Sequence, residues 1–374
     1  MSNSVVYIRE CPRYEDAAAV VHELLCRSGI RFAGKKVLVK PNILSGKPPE
    51  TATTTHPAIV EAVVDFLIGA GAEVSVGDNP GMSGYGSSIG AAKYSGILDA
   101  SRGRYINISL QSRGVPVRSR FFDMLNCSSA VLDADLVVNL PKLKTHTLTV
   151  FTGAVKNMFG ILVGGEKART HALAGTPENF GEALVDIFSV RPPELSIMDA
   201  VLGMDGNGPN AGRPRHVGLI GMSGDAVALD ATFARVVGID PFRIPHLRHA
   251  SERGCGRMAS EEIDVDGTIP HIRRFAIPLS RRVKFLGDFS ISAIHRLVFP
   301  FLTEGAKLKL VRKTCTRCGA CVRGCPTGAM RTDADGYPCI DKPKCITCYC
   351  CHELCVETAW KMTGLMNIIS WRQR

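Results

Sequence analysis

Ten of the fourteen cysteines of this chain lie after Lys313, and eight of them follow one rule of spacing. Cys315, Cys318, Cys321 and Cys325 make C-x2-C-x2-C-x3-C with Pro326 next, and Cys345, Cys348, Cys351 and Cys355 repeat it with every member displaced by 30 residues. Three thiolates on one tight loop can face the same iron-sulfur cube, while the fourth, placed at the start of a helical turn, points away and ligates the other cube. The spacing therefore predicts two 4Fe-4S clusters, one on Cys315, Cys318, Cys321 and Cys355, the other on Cys345, Cys348, Cys351 and Cys325. Zinc is the alternative, but a zinc ribbon needs only two C-x2-C pairs. Such crowding in one short segment also argues for metal over disulfides. Cys339 and Cys350 fall outside the rule and read as structural or incidental thiols. Cys348 to His352 also fits the pattern of covalent haem attachment, but its cysteines already belong to the repeat.

A second group of reactive side chains lies in the first two thirds of the chain, just after apolar runs. Lys40 and Asn42 follow VLV, Asp78 and Asn79 follow EVSVG, Lys142 follows VVNLP, and Asp199 follows LSIM. In an open parallel sheet, ligands bind beyond the carboxyl ends of the strands, so together these residues outline one rim. The densest stretch is PKLKTHTLTVFTGAVKNMFGILVGG. If 141–147 is extended, a period of two sets Lys142, Lys144 and His146 on one face. Thr152 then caps a short helix that carries Lys156 and Asn157, and a bound carboxylate or phosphate would offset the cation and use the free N–H groups of that turn. His56 and His171 read as satisfied structural histidines.

The elements that would position these residues follow from periodicity. Strand-like runs at 5–9, 36–40, 73–78, 105–109, 135–140, 195–199 and 216–221 alternate with amphipathic helical windows, including PAIVEAVVDFLIGAG, where Pro57 suits a first helical turn. That alternation predicts an α/β fold with a mostly parallel, mixed sheet flanked by helices, and a small C-terminal α+β unit for the cysteines. The expected division is 1–277 for the α/β domain with an anion pocket, 278–310 for a connector and 311–374 for the iron-sulfur domain.

The formal net charge of +10 is concentrated between residues 270 and 313, where ten Lys or Arg face only Asp288 and Glu304. The run reads as a solvated connector, or as a contact for an acidic protein or a peripheral membrane surface. It lacks the interleaved stacking aromatics of single-strand binders, so no nucleic-acid partner is expected. No apolar stretch is long enough to span a membrane, and MSNSVVYIRECPRY has no signal-peptide core, which gives a cytoplasmic expectation. Gly84, Gly86 and Gly90 are too weak a pattern for a dinucleotide.

Residues 311–363, through RCGACVRGCPTGAM and CITCYCCHELCVETAW, resemble the bacterial-type two-cluster ferredoxin domain, with Val356 where that family usually has proline. VKPNI, HPAIVEAVVDFL, VGDNP, VVNLPKLKTH, TGAVKNMFG, MDGNGPNAGRP and DAVALD resemble the domain-of-unknown-function family number 362, whose members often carry such a module. That resemblance implies a pocket of unassigned activity. More remotely, 146–156 looks like a segment of the nickel-pincer lactate racemases. The expected function is an iron-sulfur oxidoreductase, served by a redox partner protein or a small electron donor or acceptor. Its electrons pass to or from a small anion held by Lys40, Asn42, Lys142, Lys144, Lys156 and Asn157. His146 is the expected proton donor, with Asp78 or Asp199 orienting it or binding a metal. The alternatives are an electron carrier or assembly subunit whose large domain binds a protein, and a racemase or epimerase.

Overall fold

The computed structural model describes residues 3–80, 88–270, 272, 274–278, 307–355 and 357–363. Most of the connector and its basic run, the glycines Gly84 and Gly86, and Val356 lie outside them.

Among the described residues, nine strands join into one sheet in the order β11 (Ile263–Asp266), β1 (Ser4–Glu10), β10 (Arg213–Ser223), β9 (Leu195–Asp205), β6 (Leu136–Leu140), β2 (Lys36–Pro41) and β3 (Glu73–Val76). Two further strands lie off this path, β7 (Lys142–His146) beside β9 and β8 (Val150–Thr152) beside β7. Pairing is parallel across β3, β2, β6 and β9 and antiparallel from β9 through β10 to β1, so the sheet is mixed and mostly parallel, as its alternating pattern predicts. Central parallel strands are covered on both faces and read as continuous apolar runs. In β2, Val37 and Val39 pack into one core with the helices Ala17–Arg27 and Pro57–Gly69, while Leu38 packs into the other with Pro177–Val190 and Ala226–Val236. Pro57 opens its helix, as expected.

Strand length departs from expectation in two places. YINIS makes only an isolated bridge, Tyr105 to Val76. LSIMD is the start of an eleven-residue strand, so Asp199 sits within β9, not after it. The antiparallel partner β10 extends β9 beyond the parallel sheet. A separate hairpin, β4 (Ser112–Pro116) with β5 (Met124–Ser128), has no clear alternation in sequence.

The chain leaves β2 for β3 on one side, returns, and leaves β6 for β9 on the other. The crevice at the carboxyl ends of β2 and β6 is thus a topological switch point, the usual place for a ligand in such sheets. Its floor is the turn Gly153 and helix Ala154–Asn157. Thr152 does not cap that helix; its hydroxyl donates to Lys144 O at 3.1 Å. The anion expected at the helix start comes from the protein itself. Asp230, from the helix Ala226–Val236, accepts the N–H of Ala154 at 2.6 Å and of Val155 at 3.0 Å. Burial raises the Asp230 carboxyl to about 7, against the lowering effect of those two N–H donors.

The C-terminal unit repeats the cysteine period throughout its backbone. The first copy runs β12 (Lys307–Leu310), a 3-10 turn at Arg312–Thr314, the helix Ala320–Arg323 and β13 (Met330–Thr332). The second runs β14 (Pro338–Ile340), Lys342–Lys344, Cys350–Glu353 and β15 (Trp360–Thr363). Arg317 and Gly319 are left-handed, and so are Thr347 and Tyr349 at the same offset. Each two-stranded ribbon takes one strand from each copy, β12 with β15 and β13 with β14.

A Cβ on Gly153 would overlap the Asp230 carboxylate, whereas one on Gly165 meets nothing within 4 Å. Gly153→Ala should therefore cost about 1–3 kcal/mol by chemical denaturation, the usual range for overpacking, and Gly165→Ala should be near neutral.

Candidate functional site

Two buried ion pairs hold the strand ends at the crevice. Lys40 Nζ lies 2.7 Å from Asp78 Oδ1, and neither side chain is more than 3% exposed. Asp78 Oδ2 accepts the Ile43 N–H at 2.7 Å, so the carboxylate ties the exit of β3 to the exit of β2. Gly160 makes room, since a Cβ there would overlap Asp78 and Lys40. In the second pair Lys142 Nζ meets Asp199 Oδ2 at 2.8 Å, with both side chains fully buried. Asp199 also accepts from Tyr14 Oη at 3.0 Å and the His56 N–H at 2.8 Å, and Lys142 donates to Tyr14 Oη at 2.8 Å. Burial lowers the Lys142 pKa, opposed by Asp199. His56 stacks on Tyr14 with ring centres 3.5 Å apart and caps its helix through Nδ1, so it is satisfied as expected.

Between the pairs runs a relay of amides. Lys144 Nζ donates to Asn42 Oδ1 at 2.5 Å and to Thr53 O at 2.7 Å. Asn42 donates to Asn157 Oδ1 at 2.9 Å, and Asn157 to Asn139 Oδ1 at 2.7 Å. Asn139, on β6, is a link the sequence pattern did not single out.

Two cavities open along this relay. A cavity of about 80 Å³ is lined by Asn42, Asp78, Lys156, Asn157, Lys167 and His171, among others. A smaller one of about 40 Å³ is lined by Lys142, Lys144, Lys156 and Asn157 with Gly153 and Pro209. The structure thus gathers Asn42, Asp78, Lys142, Lys144, Lys156 and Asn157 at one crevice and leaves Lys40 and Asp199 beneath it. His146 lines neither cavity. It is fully buried, its Nδ1 accepts the N–H of Leu148 at 3.1 Å, and burial, then Lys156, holds its pKa well below the usual histidine range.

Sequence pattern alone does not single out Lys167. Its Nζ, 6% exposed as a residue, donates to Asn79 O at 2.6 Å and Pro80 O at 3.1 Å. Burial is the largest cause of a pKa lowered to about 7, opposed by Asp78 and reinforced by Lys40 and Lys156. Lys156 and Lys167 flank one ring, their Nζ atoms 5.6 and 5.9 Å from the Phe159 centre. His171 departs from expectation. It stacks on Phe180 at 4.3 Å, but its Nδ1 is buried with no hydrogen-bond partner among the described residues, and burial brings its pKa to about 3. Lys167 and His171 stand four apart on the helix Glu166–Ala174, hence on one face, which is the signal that could have found them.

Cys350 and Leu354, from the C-terminal cysteine-rich unit, also line the cavity of about 80 Å³. Nearby, Asn210 Nδ2 donates to Cys355 O at 3.0 Å and Lys47 Nζ donates to Asn210 O at 3.2 Å. Cys315, Cys318, Cys321 and Cys355 line a cavity of about 290 Å³, the first set that spacing proposed. The Cys351 thiol is pushed up by burial and then by Cys348, Cys321, Cys345 and Cys325, cysteines of both copies of the repeat. Backbone N–H groups point at sulfur, Arg317 N to Cys315 at 3.4 Å and Ala359 N to Cys355 at 3.1 Å, the arrangement that thiolate ligands of a cluster use. Among the described residues no group of three or more His, Cys, Asp or Glu converges on a single metal ion.

Fold and site together define an α/β-layered protein carrying a C-terminal 4Fe-4S domain. The chain belongs to the DUF362 family, a domain of unknown function, whose model matches residues 37–235; a 4Fe-4S binding domain matches 309–331. A curated relative, the thylakoid-associated protein sll1697 of Synechocystis sp., is 38% identical over 231 residues, 61% of this chain and 71% of that protein. The B subunit of the anaerobic dimethyl sulfoxide reductase of Haemophilus influenzae is 43% identical over 44 residues, 11% of this chain and 22% of that one. The lactate racemase apoprotein from Thermoanaerobacterium thermosaccharolyticum aligns at 12% identity and a TM-score of 0.41, over 61% of this chain and 58% of that one. None of the described helices is long and apolar enough to cross a membrane.

The lowered Lys167 pKa has a consequence for stability. Between about 7 and the unfolded lysine value the unfolded chain binds one more proton at this site, so Lys167 makes stability rise with pH across that window. Lys167→Met should flatten the rise, read as the pH dependence of the difference in unfolding midpoint between variant and parent.

Proposed function

We propose that this protein passes electrons through two 4Fe-4S clusters to or from a small anionic ligand held between the α/β domain and the iron-sulfur unit. The observation that carries this reading is the shared cavity. Lys156, Lys167 and Asn42 line it together with Cys350 and Leu354. Cys350 sits between Cys348 and Cys351, so a ligand there adjoins the loop of one cluster. Cys315, Cys318, Cys321 and Cys355 would hold one cluster, and Cys345, Cys348, Cys351 and Cys325 the other, each carrying single electrons. The fourth thiol of each copy reaching the other set fits the crossed strand pairing of the two ribbons.

In this reading Lys156 and Lys167 hold the anion in a site where burial weakens water's screening. Asn42 and Asn157 fix its orientation through the amide relay. Asp78 with Lys40, and Asp199 with Lys142, keep the strand ends in place. His171, not His146, is the titratable ring in the cavity wall. An external redox partner would load the clusters.

The deciding experiment uses anaerobically purified protein. Iron and acid-labile sulfide should each approach eight per chain, and acetate or phosphate should perturb the reduced-state EPR spectrum. Lys156→Met should remove the anion effect and keep both clusters. Full clusters whose spectrum no anion alters would sink the enzyme reading in favour of a carrier.

Lys47 offers a separate check. Burial lowers its pKa, opposed by Cys355 and Glu357, and its Nζ donates to Asn210 O at 3.2 Å. A cation near a cluster favours the reduced, more negative state. Lys47→Met should lower the midpoint potential of the cluster on Cys355 by tens of millivolts, roughly what a unit charge about 10 Å away contributes at an effective dielectric near 20.

A further inference from the structure

Lys167 is an unusual lysine for a cavity wall. Its Nζ is anchored by two backbone carbonyls, Asn79 O at 2.6 Å and Pro80 O at 3.1 Å. The nearest carboxylate in the wall, Asp78, is already committed to Lys40 at 2.7 Å and to the Ile43 N–H. A second cation, Lys156, shares the Phe159 ring with it. A desolvated amine beside another cation is the arrangement that turns lysine into a nucleophile toward carbonyl carbon. The same wall holds His171, with a buried ring nitrogen that has no partner among the described residues.

We infer that Lys167 captures a small carboxylate-bearing carbonyl compound, of the 2-oxo acid or oxo-acetate type, as an imine. This rests on the anion-pocket reading and narrows its ligand class. The ligand carboxylate sits on Lys156. The neutral Lys167 amine adds to the carbonyl carbon, forming the C–N bond. The resulting carbinolamine loses its oxygen as water, which leaves C=N in place of C=O with no change of oxidation state. His171, its ring neutral, is placed to take the proton that the attacking nitrogen sheds and to hand it on to the departing oxygen. A cavity of about 80 Å³ limits the ligand to a few heavy atoms. With its pKa lowered to about 7, Lys167 is uncharged in a substantial fraction of molecules near neutral pH, whereas an ordinary lysine is uncharged in roughly one molecule in three thousand.

The test is trapping with glyoxylate and cyanoborohydride on the clustered, full-length protein, followed by peptide mass mapping. The expected result is a carboxymethyl group on Lys167 at low reagent, at least tenfold ahead of exposed lysines. Lys167→Arg should abolish the adduct. Lys156→Met should weaken it at least fivefold. His171→Gln should slow it while equilibrium acetate binding is kept. Labelling that follows surface exposure, with Lys167 unmodified, would overturn the imine. If acetate still perturbs the cluster spectrum in that case, the anion pocket survives and only the imine falls. If neither acetate nor glyoxylate has any effect, both readings fall together.

Discussion

A lysine without exposed surface has to meet a buried carboxylate or carbonyl oxygens, or lose its charge, and this requirement shapes the crevice. An unpaired charge moved out of water costs several kcal/mol, and breaking a buried pair from one side typically costs about 3–5 kcal/mol. Lys40 with Asp78 and Lys142 with Asp199 meet the requirement across strands, so each pair also fixes where a strand ends. The pairs lie on opposite sides of β6, and the amide relay Asn42, Asn157, Asn139 spans the space between them. Each strand end at the crevice is thus tied by a charge pair or by an amide hydrogen bond. With both acids committed, the wall that faces a ligand is cationic.

That wall meets the iron-sulfur unit edge to edge. Asn210 reaches the carbonyl of Cys355, Lys47 reaches Asn210, and Cys350 closes the larger cavity. The two units share a seam at the place where ligand chemistry and electron transfer would have to communicate. The basic seam also offsets negative charge brought by thiolate-bound clusters.

The sequence pattern is most informative where chemistry imposes spacing. The cysteine rule points to the C-terminal segment that the 4Fe-4S binding domain matches, because cluster ligation tolerates few geometries. Polar residues after apolar runs outline the crevice, because a parallel sheet carries its strand ends to one side. Three things are not legible. Asp230 lies 76 residues from the turn it caps, and no local pattern announces a long-range carboxylate. Asp199 looks like a strand terminus because the continuation AVLGMD lacks the β-branched density of a buried strand, and only pairing with β10 shows it extended. The spacing of Lys167 and His171 puts them on one helix face, but the helix is too polar to register as a core helix, so the burial of that face is what the pattern does not carry.

The crossed ribbons of the C-terminal unit bear on how the protein matures. Neither copy of the repeat closes its own sheet, and Cys355 reaches back to the thiols of the first copy. Half of this unit is consequently not a smaller version of the whole. During synthesis the first cysteine loop emerges with three thiols and an unpaired β12, which must wait for β15 before its ribbon is complete. By then the α/β body, which lies entirely upstream, has already left the ribosome. On the ligand sets that the spacing predicts, metal loading would come last, onto an α/β scaffold already formed.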